Sequence, residues 1–172
     1  MLKLFYASIF FLLCSCFPPQ SAIDWSPHTG DVLKAPEVTL ERIRVLCETN
    51  LFMKDIHIID SETFLGTDPL TNMKIIVRIR PGPGLVQFVT YIETGPRPLC
   101  EILNFCNEIN YKKLLVRFSY IQEGDSISYY CADYDFYYTY GLNKQSFFYT
   151  YNKFILIVQS AISEYRQMFS PF

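Results

Sequence analysis

The chain has 172 residues, 50% of them hydrophobic and 17% aromatic, which is material for one well-packed domain with appendages and not for two. Its formal net charge is −2 and it has no run of five like charges, so the clustered Lys and Arg of a nucleic-acid footprint are missing. No segment sets a nucleophile beside a base, so the sequence leaves catalysis without residues to carry it.

The N-terminus opens with Met1-Leu2-Lys3 and an apolar run from Leu4 to Leu13. A core of about ten residues falls short of the roughly 20 that a spanning helix needs, so the stretch reads as an export signal. It ends Leu13-Cys14-Ser15-Cys16, which resembles a bacterial lipobox, and that resemblance implies cleavage after residue 15 and a lipid on Cys16. Cys14 departs from the usual lipobox pattern, and ordinary cleavage near Ala22 is the alternative. Residues 17–37 carry Pro18, Pro19, Pro27 and Pro36 among Ser, Gln, Thr and Gly, the composition of an extended, hydrated tether. In it His28 is expected in solvent and Trp25 docked on the domain surface.

The folded domain is expected from Val38 to Phe169. Thr39 is a suitable N-cap, and Leu40, Ile43, Leu46, Cys47 and Leu51 trace one helical face opposite Glu41, Arg42, Arg44 and Glu48. Ile56, Ile58 and Ile59 predict a strand that Phe64 and Leu65 extend before Gly66-Thr67-Asp68-Pro69 turns the chain. His57 lies in it with no second ligand at metal spacing. Ile75, Val77 and Ile79 alternate with Lys74, Ile76, Arg78 and Arg80, a half-buried strand whose cations mark its wet face. The Pro81-Gly82-Pro83-Gly84 turn is no phosphate cradle, because proline removes the N–H donors such a loop supplies. It leads into a strand from Leu85 to Glu93 that is apolar on both faces.

Leu99, Ile102, Leu103, Cys106 and Ile109 then predict a helix opened by Pro98 and closed by Asn110. A hairpin follows, with Leu114 to Ile121 alternating, a turn at Glu123-Gly124-Asp125, and a return strand through Ile127, Tyr129 and Cys131. The last helix, from about Ser146 to Met168, carries two apolar stripes, a wider arc than one sheet face requires. Phe147, Tyr151, Phe154, Ile155, Val158 and Met168 are therefore the candidate interface, for a homodimer or a partner segment.

The order α-β-β-β-α-β-β-α, with Leu103-Asn104-Phe105-Cys106-Asn107 ahead of the hairpin and Asp133 and Asp135 ending its second strand, resembles the YbjN family. Its members are labelled bacterial sensory transduction regulators and are similar in fold to type III secretion chaperones. The resemblance implies an α+β domain with an antiparallel sheet and helices, of type III secretion chaperone-like architecture, that binds a partner segment and often dimerises. It carries no catalytic residue to this chain.

Chemistry was sought in three places. Asp133 and Asp135 share a strand face and Glu123 and Asp125 sit at a hairpin tip, but no EF-hand spacing links them, and strand-end acids are ordinarily solvated. Tyr129, Tyr130, Tyr134, Tyr137, Tyr138 and Tyr140 crowd one region, as a sugar platform would, although cross-strand packing is the commoner use. Cys47, Cys106 and Cys131 fall on predicted core faces and read as buried thiols, and Cys100 and Cys106 are about 9 Å apart along one helix, too far to bridge. The expectation is a non-enzymatic binding or regulatory module of the cell envelope, without cofactor, metal or nucleic acid. A lipid anchor is expected to hold it at the membrane, and a protein partner or a second copy of the chain to bind it. The alternative is a small secreted hydrolase or carbohydrate-binding protein.

Overall fold

The computed structural model describes residues 32–113, 115–123 and 126–169. Cys16, Trp25, His28, Leu114 and the Gly124-Asp125 turn lie outside the described residues. Six strands form one antiparallel sheet: β2 (Lys54–Ile58), β3 (Thr63–Thr67), β4 (Lys74–Arg80), β5 (Leu85–Arg97), β6 (Arg117–Glu123) and β7 (Ser126–Tyr137), in the order β2-β3-β4-β5-β7-β6. Before them β1 (Val32–Leu33) pairs with β8 (Leu142–Asn143) in a small second sheet. The helices are α1 (Leu40–Asn50), α2 (Leu99–Lys112) and α3 (Lys144–Phe169). The protein is an α+β domain.

Local chemistry explains the boundaries. Thr39 Oγ1 accepts the Arg42 N–H at 3.3 Å and starts α1. Asn143 Oδ1 accepts the Ser146 N–H at 2.8 Å in the first turn of α3. The expected single strand around Ile56 to Leu65 is two, because Asp60 Oδ1 takes the Glu62 N–H at 2.8 Å and folds the chain back. Pro98 caps α2 as expected, and the helix runs two residues beyond Asn110. The stretch expected as tether is structured at its end, where Val32–Leu33 form β1 and Ala35–Glu37 a 3-10 turn.

Strand alternation sends Phe64, Ile75, Val77, Ile79, Val86, Phe88, Phe118, Tyr130 and Ala132 to one face of the sheet, and they share a single core with all three helices. There α1 touches β2 and β3, α3 touches β5 and β7, and α2 touches β6 and β7. The longest helix therefore lies centrally in the helical layer. Phe88 sits within 5.4–5.9 Å of the Phe147, Tyr151 and Phe154 rings, and Phe105 of α2 stands 5.1 Å from Tyr165.

That position corrects the interface expectation. Phe147, Tyr151, Phe154, Ile155 and Val158 are 0–5% exposed inside this one chain, and of the six candidates only Met168, at 48%, reaches solvent. The wide apolar arc of α3 faces the sheet below and a helix on each flank, so it is core.

Candidate functional site: the open face of the sheet

Every described helix, and the β1 segment through Leu33 and Ala35, packs on the same side of the sheet. Among the described residues nothing covers the other side. The residues that alternate with the core positions form it: Arg78 and Ile76 of β4, Gln87, Val89 and Tyr91 of β5, Asp135, Asp133 and Cys131 of β7, and Arg117 and Ser119 of β6.

Register sets a ladder of charge across this face. Asp133 is the cross-strand partner of both Val89 and Arg117, and Asp135 of Gln87, which in turn faces Arg78. The Arg117 guanidinium donates to Asp133 Oδ2, through Nη2 and through Nε at 3.0 Å, and to Asp135 Oδ2 at 3.1 Å. Gln87 Nε2 donates to Asp133 at 3.4 Å, and Arg78 Nη1 to Gln87 Oε1 at 3.5 Å. Bonding to Asp133 raises the Arg117 pKa further, so the cation is fixed. The two carboxylates are mostly covered, at 13% and 19% side-chain exposure, while Arg117 stays 67% exposed, and Asp135 Oδ1 is buried without a partner among the described residues. The acids that the sequence offered as metal ligands thus answer an arginine. No group of three or more His, Cys, Asp and Glu at ligand geometry exists among the described residues.

Beside the ladder the face is apolar. Val89 and Cys131 are 6% and 9% exposed, already covered by the side chains around them, and the Tyr91 ring beside them is 47% exposed. Burial pushes the Cys131 thiol up to about 11, which leaves it protonated and unreactive at neutral pH.

Other sequence candidates disperse. His57 is exposed on the β2 edge, and four strand spacings separate β2 from β7, about 19 Å, so it cannot act with Asp133. The tyrosines split between faces, with Tyr130, Tyr134 and Tyr138 on the core side and Tyr129 and Tyr137 on the open side, so they make no single platform. Cys47, Cys106 and Cys131 are free and buried, and Cys100 is free and exposed.

Asn104 and Asn107 are exposed on α2, and the working asparagine is Asn110, whose place in the sequence marks only a helix end. Its Nδ2 donates to the Phe118 carbonyl and its Oδ1 accepts the Phe118 N–H, each at 2.7 Å. The side chain occupies the rim of edge strand β6 as a neighbouring strand would. The opposite edge is blunted differently, by Lys54, Asp55 at φ +49° and a break in register between Lys54 and His57.

Comparison with known proteins agrees on the fold. YbjN from E. coli, named as a candidate transcription regulator, superposes with a TM-score of 0.60 at 14% identity, over 75% of this chain and 92% of that one. An uncharacterized protein from Methanothermobacter thermautotrophicus gives 0.57 at 11% identity, over 76% and 98%. No family model and no curated protein sequence matches the chain. The likeness shows a YbjN-like fold.

Proposed function

We propose that this chain is a non-enzymatic binding or regulatory module that acts through protein–protein contact, with the open sheet face as its contact surface. One observation carries the reading: a six-stranded sheet whose described helices all lie on one side presents a ladder of fixed charge beside the exposed Tyr91 ring. Such a surface offers a partner both shape and charge register, the two requirements of specific association. The fold likeness to YbjN, itself named as a candidate regulator, supports the same reading.

The proposal includes an address. Export directed by residues 1–16, a lipid on Cys16 and a tether through the proline-rich stretch would hold the domain at the envelope, anchored by its lipid and facing protein partners. Fatty-acid labelling tests the address: incorporation in the wild type and none in Cys16→Ala is expected, and equal labelling of both contradicts it.

Affinity capture from envelope extract tests the surface. A partner retained by the wild type should be lost with Tyr91→Arg on the open face and kept with Leu156→Arg on the helical layer, two positions that are 47% and 58% exposed and so tolerate charge. Loss with Leu156→Arg and retention with Tyr91→Arg would refute the proposal.

A further inference from the structure

A cleft lies away from the open face, at the end of the sheet on the helical side, between the start of α1 and the β4–β5 turn. It has a volume of about 700 Å³, within the range of small-molecule sites. Its apolar walls include Pro36, Ile79, Pro81 and Pro83, and its polar groups include Glu62 and Tyr138. Hydrogen bonds pin these walls: the Ile79 N–H donates to the Glu62 carbonyl at 2.7 Å, the Tyr138 N–H to the Gly84 carbonyl at 2.7 Å, and the Gly84 N–H to the Pro81 carbonyl at 3.1 Å. The site is built before any ligand arrives.

Two features define what it would take. Tyr138 is 4% exposed over the whole residue, and its hydroxyl, which makes no hydrogen bond to a described residue, is the part that solvent reaches, so it is open to a ligand. Glu62 is the one charged side chain on the walls, and it makes no ion pair among the described residues. Arg78 and Arg80 are close in sequence, but alternation along β4 directs them to the open face, away from the cleft.

We propose that this cleft binds a small organic cation, an ammonium with a neighbouring carbonyl oxygen on an apolar or aromatic body, as in an amino-acid amide or the N-terminal residue of a peptide. The ammonium meets Glu62, the carbonyl accepts from the Tyr138 hydroxyl, and the body lies against the proline rings. Burial, and after it the Glu62 charge, raises the Tyr138 pKa, so the hydroxyl remains a donor at neutral pH. The site stands independently of the open face.

Calorimetric titration of the full chain with phenylalaninamide tests this, with N-acetyl-phenylalaninamide as the same body without its charge. Saturable binding is expected, weakened at least about ten-fold by acetylation or by Glu62→Gln, and about three- to ten-fold by Tyr138→Phe. Circular dichroism checks that each variant keeps its fold, and Glu62→Gln, an exposed and isosteric change, decides the matter should Tyr138→Phe unfold. Failure of phenylalaninamide to saturate, equal binding of the acetylated probe, or unchanged affinity in Glu62→Gln would overturn the proposal.

Discussion

Asp68 is a carboxylate at 3% exposure in a turn between two strands, and it is fully employed. Its Oδ1 accepts the Leu70 and Thr71 N–H groups and the Thr71 hydroxyl at 2.7–3.2 Å, and its Oδ2 accepts the Tyr151 hydroxyl at 2.9 Å. The residue thus ties the β3–β4 turn to the first third of α3. Removing the donor leaves a buried carboxylate oxygen unsatisfied, so Tyr151→Phe should cost about 1–3 kcal/mol in urea unfolding. A change within error would mean that solvent reaches Asp68. A turn here is readable in the sequence, although it starts at Asp68 and not at Gly66, which with Thr67 still pairs in β3; the Tyr151 contact spans 83 residues, and no local pattern announces it. The cysteines show the converse, since a thiol on an apolar stripe is read correctly as core. Burial raises the Cys106 and Cys131 thiols from 9.0 to about 11, and Cys47 further. Their folded pKa values stand above the unfolded ones, so they contribute stability that is complete below pH 9 and is lost as pH rises through about 11. Iodoacetamide labelling mapped by mass spectrometry at pH 8 should modify Cys100 and spare Cys47, Cys106 and Cys131 until the protein unfolds.

At the scale of elements, alternation and helical spacing found every long strand and all three helices, because burial on one face writes a period into the chain. They failed at two short features. The Ile56 to Leu65 region reads as one strand because both halves are apolar and the break at Asp60 is a single side-chain hydrogen bond. β1 is two residues long and is held by pairing with residues 142–143, far along the chain. Gly141 records that pairing, with φ +119° and a Cβ position 2.8 Å from the Leu33 carbonyl oxygen. Gly141→Ala should therefore destabilise by about 1–3 kcal/mol in thermal unfolding, and a neutral effect would mean that β1 does not dock as described. Edge strand β6 makes a parallel case. Asn110→Ala removes both bonds to Phe118 and opens the rim, so it should lower stability by about 1–3 kcal/mol and increase self-association in light scattering, whereas Asn104→Ala should do neither.

For the whole molecule the governing fact is that three helices share one face of the sheet. The sequence contained the wide apolar arc of α3, but its meaning depended on where the helix sits. A helix at the margin would expose that arc as an interface, whereas the central one buries it, which is why the proposed contact surface is the uncovered side of the sheet and not α3. The salt-bridge ladder there was half legible: Asp133 and Asp135 stood out as acids on one strand face, while Arg117 joins them only through strand pairing. Placing a photo-crosslinking residue at Tyr91 on the open face, and separately at Tyr149 on the helical layer, tests the central claim most directly, because both side chains are exposed, at 47% and 64%. In envelope extract a discrete crosslinked protein is expected from position 91, either another protein or a second copy of this 20.1 kDa chain, and none from position 149. A product from position 149 alone would contradict it.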